Sequence, residues 1–528
     1  MRNDLPAARA AAALAALAAV AVALSGCSGG SSPAGQQAAG QSAAGTSPAA
    51  GTQPAGPPPR LTWHRCSALA ASLRCASLSV PLDYRHPGGR KITLALSEVP
   101  ATAPSGRLGA LLVNPGGPGG TGLGLAATVA DGLDPSVASR YDIVGFDPRG
   151  VGASVPALHC EPSFFGGARP DYIPATRAAE QVLIGRARTY ARDCERKYGW
   201  LLPHLTTQDN ARDIDSIRAA LRQQQVSYFA YSYGTYIGQV YATMFPSRVR
   251  RMVLDSTVDP TGVWYQDNID QDYAFQGRLE AFFSWAASHD AVLRLGSTRA
   301  QVSRAWYRAR RQLAAHPVRL SSGVQVGPDE YDDTFVVGGY SNSVWPDLGI
   351  ALAAYLHQGN SARLVAAYQA GGRQHENEFA VYNATECSDV SWPRNWARWD
   401  ADTRKVYSTA PFLAWDNAWF NAACAFWPVH GPAHPLRIGG RGLPGILMIQ
   451  GTLDAATPYA GAQRAHRALP TARMVVVKGG GNHGQSLSSP PNTCVDGYLN
   501  RYLATGALPQ GPGLVNATCP ALPPPPLG

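Results

Sequence analysis

The stretch VSYFAYSYG at residues 226–234 decides the fold class of this chain. Its apolar, β-branched and aromatic start predicts a short buried strand, and helical pattern follows over 234–245. A serine between a strand and a helix lies on a sharp turn that holds its hydroxyl clear of the backbone. Such a turn needs small residues two before and two after the serine, where this chain has Ala230 instead of the usual glycine, and Gly234. The stretch therefore predicts a nucleophile elbow with Ser232 as the nucleophile.

Short apolar runs alternate with helix-like segments on both sides of this turn. The strand-like runs are 109–113, 141–146, 226–230, 251–254, 445–449 and 473–478, and helical pattern lies at 209–224, 234–245 and 459–469. This alternation predicts a mostly parallel sheet covered by helices on both faces. The pattern breaks between about 260 and 437, where the helical segments are 270–290, 297–315 and 346–370. We therefore expect one sheet that is interrupted by an insertion.

Two further polar residues each follow a predicted strand directly. Asp454 comes after the strand at 445–449, and His483 comes after the strand at 473–478 in Gly-Asn-His-Gly. Open α/β sheets place their sites at the carboxyl ends of strands, and the chain order Ser, Asp, His is that of α/β-hydrolases. Alone, Asp454 would be interpreted as a cap or turn residue and His483 as a structural loop histidine. Together with Ser232 they predict a triad in which His483 accepts the serine proton and Asp454 orients the imidazole.

The loop NPGGPGG at residues 114–120 follows another predicted strand. The oxyanion of acyl transfer needs preorganised N–H donors, one from the residue after the nucleophile and one from a loop of this kind. We therefore expect Tyr233 and Gly117 to supply them. Gly117, Gly119 and Gly122 also match the Gly-x-Gly-x-x-Gly pattern of dinucleotide-binding proteins. Pro118 removes an N–H from that phosphate cradle, and the Ser, Asp and His set would be left unexplained, so the sequence predicts no nucleotide cofactor.

The first part of the chain predicts export rather than a folded domain. Residues 10–24 are an almost unbroken Ala/Leu/Val run, which suits a signal-peptide core and is shorter than a membrane span of about 20 residues. The run ends in Leu-Ser-Gly-Cys, which resembles a bacterial lipobox and makes Cys27 the expected lipidation site; a plain secretory signal is the alternative. The composition of residues 28–59, rich in Ala, Gly, Ser and Pro, predicts a flexible tether. We expect membrane contact through the lipid anchor only.

Composition and cysteine usage agree with an exported globular protein. Hydrophobic residues make up 45% of the chain, and the net charge of +9 comes from scattered arginines, so we expect a solvated basic surface and no nucleic-acid partner. Nine cysteines minus Cys27 leave eight, an even number that suits an oxidising compartment. Sequence proximity favours the pairs Cys66–Cys75, Cys160–Cys194, Cys387–Cys424 and Cys494–Cys519, although other pairings stay open. No Cys-x-x-Cys pair is present, and the HENE stretch at 375–378 lacks the second histidine of a zinc motif, so no metal site is predicted.

Three motifs and the C-terminal stretch from Pro444 to Cys519 together resemble the exported tripeptidyl aminopeptidases of actinobacteria, relatives of the proline iminopeptidases. The motifs are NPGGPGG at 114–120, DPRGVGAS at 147–154, which we interpret as a structural turn, and SYGTYIG at 232–238. The likeness extends over nearly all of residues 60–519. It implies an α/β-hydrolase fold, with a mostly parallel central sheet and a helical cap insertion at about 260–437.

The resemblance also implies where the substrate's amino group would bind. In that family, acidic residues of the cap bind the free α-amine, and a buried ammonium needs a paired carboxylate. The Glu-Cys-Ser-Asp segment at 386–389 resembles the family's segment around a disulfide-bonded cysteine. Glu386 and Asp389 are therefore the expected amine-binding residues, and Glu376 and Glu378 are the second choice. A solvated loop is the alternative for each.

These features predict an exported serine aminopeptidase without a cofactor. It would release short peptides, tripeptides above all, from free peptide or protein N-termini through an acyl-enzyme on Ser232. A lipase or esterase on the same scaffold is one alternative, and a noncatalytic surface-binding lipoprotein is another. The predicted parts of the chain are a signal peptide with lipobox (1–27), a tether (28–59), the first part of the hydrolase core (60–259), a helical cap (260–437), the C-terminal part of the core (438–519) and a proline-rich tail without evident function (520–528).

Overall fold

The computed structural model describes residues 60–67, 69–320, 323, 325–371 and 375–527. The predicted signal peptide, with Cys27, and the predicted tether lie outside the described residues. Within these ranges, no helix combines the length and the apolar character that crossing a bilayer requires.

The strands form one large sheet and one small hairpin. They are β1 (His64–Arg65), β2 (Arg74–Pro81), β3 (Lys91–Val99), β4 (Gly109–Asn114), β5 (Tyr141–Asp147), β6 (Val226–Tyr231), β7 (Val249–Asp255), β8 (Val318–Arg319), β9 (Gln325–Val326), β10 (Ile446–Gly451), β11 (Ala472–Lys478) and β12 (Ala517–Pro520). The large sheet has the order β1-β2-β3-β5-β4-β6-β7-β10-β11-β12, and β8 pairs with β9 separately. From β5 to β12 every pair is parallel, whereas β1, β2, β3 and β5 pair antiparallel. The predicted mostly parallel sheet is confirmed, and each predicted strand is present with slightly different ends.

Sequence reasoning missed the antiparallel edge and the last strand. In β2 and β3, buried side chains alternate with exposed or half-buried ones along RCASLSVP and KITLALSEV. That period of two is the usual signal of a strand with one covered face, and it could have revealed both strands. β12 is only four residues long and carries no such pattern.

Helices cover both faces of the sheet. In the described residues they are α1 (Leu125–Gly132), α2 (Pro135–Ala138), α3 (Arg177–Tyr198), α4 (Thr207–Ala220), α5 (Tyr233–Met244), α6 (Tyr265–Ser288), α7 (Asp290–Leu293), α8 (Arg299–Ala315), α9 (Pro328–Tyr340), α10 (Trp345–Gln358), α11 (Ala362–Gly371), α12 (Glu376–Asp389), α13 (Trp396–Tyr407), α14 (Ala414–Asn421), α15 (Tyr459–Ala468) and α16 (Thr493–Thr505). Along β4, Leu111 and Val113 pack under α1, α2 and α16, while Leu112 between them packs under α4, α5 and α15. Both side-chain rows of the parallel strands are therefore buried, which explains their unbroken apolar pattern.

The segment between β7 and β10 consists mainly of helices, α6 to α14. The single helix predicted at 346–370 is wrong: α10 ends at Gly359, whose φ of +64° allows the left-handed turn before α11. α6, α8, α9 and α10 share an apolar cluster of their own around Phe282 and Trp306. α12 instead buries Phe379 and Val381 in the core of the sheet region. The insertion thus has two parts, and α12 belongs, with Trp399 of α13, to the part that packs into the core.

Covalent links and the C-terminal tail connect the parts of the fold. The disulfides are Cys66–Cys75, Cys160–Cys194, Cys387–Cys424 and Cys494–Cys519, the same pairs that sequence proximity favoured. The tail is not a free end. Trp285 of α6 donates its indole N–H to the carbonyl oxygen of Pro525 at 2.9 Å, and Leu527 packs against the apolar cluster of the insertion. The tail therefore runs from the sheet edge to the insertion.

Candidate active site

Ser232 lies in the turn between β6 and α5. Its φ of +56° falls in the left-handed region, which residues with a side chain rarely adopt. A Cβ at Gly234 would lie 2.6 Å from Asn114 Oδ1 and 2.9 Å from the Cβ of Ala230. Glycine is therefore required at position 234, and its missing side chain leaves room for the methyl group of Ala230. This contact explains why alanine is accepted at the position where glycine is usual.

Asp454 and His483 form a direct pair at the carboxyl ends of β10 and β11. His483 Nδ1 lies 3.0 Å from Asp454 Oδ1 and 3.1 Å from Oδ2. The carboxylate also accepts the N–H groups of Ala456 and Thr457 at 3.0 and 3.1 Å, and it is 2% exposed. These donors hold the carboxylate in one orientation, so it can fix the tautomer and the plane of the imidazole.

The second imidazole nitrogen is available for proton transfer. His483 Nε2 is buried and has no hydrogen-bond partner among the described residues. Burial acts to lower the pKa of His483, but the Asp454 charge and hydrogen bond, together with the Asp255 charge, outweigh it and raise the pKa above 6.5. A Cβ at Gly484 would lie 3.3 Å from Tyr231 Cδ1, so the histidine loop lies beside the residue that precedes Ser232. The structure brings the three predicted triad residues to one region of the sheet edge.

Asp255, at the end of β7, connects the nucleophile turn to the histidine loop. Its carbonyl oxygen accepts the N–H of Ser232 at 3.2 Å, and its carboxylate accepts the N–H of Gln485 at 3.0 Å and both the N–H and the hydroxyl of Ser486 at 2.7 and 2.6 Å. Burial raises the pKa of Asp255 to about 6, against the lowering effect of these donors. Sequence reasoning missed this residue, although its place directly after a strand was the available signal.

The glycine-rich loop after β4 packs against the nucleophile turn. A Cβ at Gly116 would lie 2.8 Å from Ser232 Cβ and 3.0 Å from the backbone nitrogen of Tyr233. The N–H of Gly116 donates to Asn114 Oδ1 at 2.9 Å, so it is already used. Tyr233 begins α5, where a backbone N–H has no partner within the helix, and no described group accepts the N–H of Gly117. The N–H groups of the two expected oxyanion donors therefore have no acceptor among the described residues, and they lie in the two segments that meet at Ser232.

The turn at 147–154 has a structural function, as the sequence indicated. The Asp147 carboxylate accepts the N–H groups of Gly122 and Ala153, each at 2.8 Å, and so ties the far end of the glycine-rich loop to this turn. Arg149 is fully buried and donates to both carboxylate oxygens of Asp213, each at 2.7 Å. The loop beside Ser232 thus rests on a rigid, hydrogen-bonded support.

Two of the candidate acidic residues lie at the start of α12 and differ in their surroundings. Glu376 accepts hydrogen bonds from the N–H groups of Cys160 and Glu161 and from the Tyr190 hydroxyl, all at 2.8 or 2.9 Å. These contacts make Glu376 a structural residue. Glu378 is exposed, and its carbonyl oxygen lies 2.6 Å from the place of a Cβ at Gly119, so its backbone contacts the glycine-rich loop.

The other two candidates are buried at the end of α12. Asp389 accepts the N–H of Thr207 at 2.7 Å and its hydroxyl at 2.5 Å, and the indole N–H of Trp264 at 3.2 Å. Burial raises the pKa of Asp389 to about 7. Burial likewise raises the pKa of Glu386, against the hydrogen bonds from Tyr382 and from the Asn268 side-chain amide nitrogen, which lies 3.4 Å from Oε2. Asp389 has most of its acceptor capacity used by the protein, whereas Glu386 has more left for another donor.

Comparison with known proteins places this site in a family. A family model described as TAP-like protein matches residues 410–519. A tripeptidyl aminopeptidase of Streptomyces lividans is 41% identical over 461 residues, which are 84% of this chain and 84% of the relative. A carboxylesterase B and the serine protease Hip1, both of Mycobacterium tuberculosis, are 33% and 30% identical and cover 85% and 82% of this chain and 89% and 86% of the relatives. The chain therefore belongs to the tripeptidyl aminopeptidase family of α/β-hydrolases.

Proposed function

We propose that this serine hydrolase is an aminopeptidase that removes short peptides, tripeptides above all, from free N-termini, with Ser232, His483 and Asp454 as its catalytic triad. The observation that carries the proposal is the Asp454–His483 pair at 3.0 Å, with Nε2 left unpartnered beside the strained Ser232 turn. The similarity to the tripeptidyl aminopeptidase of Streptomyces lividans supports the substrate class.

The geometry supports a two-step acyl transfer. Ser232 Oγ attacks the scissile carbonyl carbon while its proton passes to His483 Nε2, and the N–H groups of Tyr233 and Gly117 stabilise the oxyanion that forms. The intermediate collapses, the C–N bond breaks, and the leaving amine takes the proton from His483. Water then gives a proton to His483 and attacks the acyl-enzyme, and the same proton returns to Ser232 as the peptide acid leaves.

Recognition of the free amine is assigned to α12, with Glu386 as its main residue. Burial raises the pKa of Glu386 above its ordinary value, because it disfavours an isolated charged carboxylate. A substrate ammonium beside it would favour the charged carboxylate, which forms the pair that a buried ammonium requires. Glu378 supports this assignment from the other end of α12, because its backbone contacts the glycine-rich loop. Asp389 has less capacity for the amine, since Thr207 and Trp264 already donate to it.

The deciding experiment compares a tripeptide anilide that has a free N-terminus with its N-acetylated twin. We expect strong preference for the free amine, and in Glu386→Gln a higher KM for the free peptide without a change for a short-chain ester. Equal cleavage of the blocked peptide would eliminate the aminopeptidase proposal.

An esterase is the second candidate, because a relative named carboxylesterase B covers 85% of the chain. Hydrolysis of short-chain esters without any hydrolysis of free tripeptide anilides would favour it. In either case a fluorophosphonate probe should label the wild type and Ser163→Ala, an exposed control serine, but not Ser232→Ala. Unlabelled wild type would favour the noncatalytic alternative instead.

Export and lipid anchoring at Cys27 complete the proposal. Four disulfides in the described residues support an oxidising compartment outside the cytoplasm. Mass spectrometry of the mature N-terminus should find an acylated Cys27, and Cys27→Ala should leave the membrane fraction. A mature protein that starts at another residue and is soluble in the wild type would leave a plain secretory signal as the explanation.

A further inference from the structure

A large cavity lies between the insertion and the edge of the sheet, beside the loop that carries His483. Its volume is about 1230 Å³, and its walls include Arg278 and Trp285 of α6, Trp345 at the start of α10, the glycines at 479–481 and the tail at 520–526. Neither Ser232 nor the other two triad residues line it. The cavity therefore borders the histidine loop, through Gly484 and Gln485, without including the triad side chains.

Arg278 is buried in the wall of this cavity without a partner. The residue is 5% exposed, and neither a hydrogen bond nor an ion pair joins its guanidinium to any described group; Nε and Nη2 are fully buried. Its Cζ lies 4.9 Å from the centre of the Trp345 ring, and Nη1 occupies the space that a side chain at Gly481 would need. Packing between Trp345 and the backbone of Gly481 thus holds the guanidinium in place without satisfying it.

Arg278 has no direct anionic partner among the described residues. The lining residues include the cation Lys478 and the imidazole of His289, and no aspartate or glutamate is among them. Burial lowers the pKa of Arg278 to about 10, although the Asp454 charge opposes this effect. An unpaired buried cation is strongly unfavourable, and an anion with acceptor oxygens is the ligand that relieves it. The site therefore has the electrostatics of an anion-binding cavity.

The other walls indicate the size and character of the anion. Two indole rings, Trp285 and Trp345, and the prolines at 523–526 give the cavity apolar surface, and Asn342 and Asn482 add amide groups. A small inorganic anion would leave most of this volume and apolar surface without contacts. A peptide would occupy both, and its carboxylate would accept a charge-assisted hydrogen bond from Nη1, since Nε and Nη2 of Arg278 are fully buried.

We propose that this cavity binds a short peptide by its free C-terminal carboxylate, with Arg278 as the residue that pairs with it. The site stands apart from the peptidase reaction and does not depend on Ser232. Arg278 nevertheless lies over Gly481, two residues before His483, so an occupant would contact the loop that holds the proposed catalytic base.

The test uses the full chain with Ser232→Ala, so that turnover cannot consume the probe. Calorimetric titration compares N-acetyl-Ala-Pro-Ala acid, its C-terminal amide and inorganic phosphate; the acetyl group prevents recognition through the amine. We expect the acid to bind roughly ten- to a hundredfold more tightly than the amide, the range that a charge-assisted hydrogen bond supplies. Adding Arg278→Met should remove this difference. Failure of the acid to bind, equal binding of acid and amide, or phosphate binding as tight as that of the acid would each overturn the proposal.

Two controls separate the carboxylate contact from effects on folding. Arg278→Met removes an unpaired buried charge and keeps an unbranched apolar stem, so we expect its melting temperature to be no lower than that of the parent. Lys478→Met removes an exposed cation of the same cavity and should weaken acid binding by less than roughly fivefold. Should Arg278→Met fail to fold, thermal shift of the Ser232→Ala chain decides: the acid should raise the melting temperature and the amide should not. Equal shifts with acid and amide would refute the site.

Discussion

Replacing Asp454 with asparagine should disable the proposed base by changing the position of its proton. Asp454 Oδ1 accepts the N–H groups of Ala456 and Thr457, so in Asp454→Asn the amide oxygen must occupy that place. The amide NH2 then takes the place of Oδ2, which lies 3.1 Å from His483 Nδ1. A donor there favours an unprotonated Nδ1, in competition with the amide oxygen 3.0 Å from the same nitrogen, and so moves the imidazole proton to Nε2. An Nε2 that already carries a proton cannot accept one from Ser232.

The expected loss follows from this tautomer. In a triad of this kind the wrong tautomer lowers kcat by roughly 10⁴-fold, which corresponds to about 5.4 kcal/mol of activation free energy. KM should stay near the wild-type value because Asp454 is only 2% exposed and lies behind the imidazole. The substitution conserves volume, so the fold should be retained.

The assay measures kcat and KM on a free tripeptide anilide, together with the melting temperature. Asp193→Asn is the matched control, since Asp193 is also a shielded carboxylate but pairs with Arg196 on the surface of α3. We expect wild-type kinetics from this control. If Asp454→Asn kept more than roughly a tenth of the wild-type kcat with a normal melting temperature, the tautomer argument would be refuted.

Three further predictions follow from particular contacts. Gly116→Ala places a Cβ 2.8 Å from Ser232 Cβ at a φ of +96°, so kcat on the anilide should fall roughly 10²-fold; a loss below about threefold contradicts this. Arg149→Met leaves Asp213 buried and unpaired, so urea titration should find the free energy of unfolding lower by roughly 3–5 kcal/mol, and a change under about 1 kcal/mol would argue against the buried pair. Because the pKa of His483 is raised above 6.5 and the base must be neutral, kcat/KM should decrease as pH falls through a midpoint above 6.5; a lower midpoint would count against the Asp454 contact.

Much of the site was visible in the sequence because its signals are local. The elbow needs a strand, a serine between small residues and a helix, all within the stretch at 226–245. Asp454 and His483 each follow an apolar run, and parallel strands bring their carboxyl ends to one edge whatever separates them in the chain. The triad, the glycine-rich loop and the parallel part of the sheet could therefore be predicted before any contact was known.

The roles of other residues depend on contacts that their spacing in the sequence does not reveal. Glu376 and Glu386 stand on one helix, yet only the fold directs the N–H groups of Cys160 and Glu161 to Glu376, while the donors to Glu386 are the side chains of Asn268 and Tyr382. Asp255 positions the histidine loop because Ser486, more than two hundred residues later in the chain, donates its N–H to the Asp255 carboxylate.

The sequence by itself determined the fold class, the buried strands and the chain order of the proposed triad, because adjacent residues carry the patterns of burial on both faces and of turn chemistry. Only the tertiary structure decided which charges are paired. Arg149 and Arg278 are both buried in the fold. Arg149 donates to Asp213 at 2.7 Å, whereas Arg278 packs against the face of Trp345 and the backbone of Gly481 and has no ion pair with a described residue. The physical reason is that a charge is compensated by its neighbours in space, and folding selects those from distant parts of the chain.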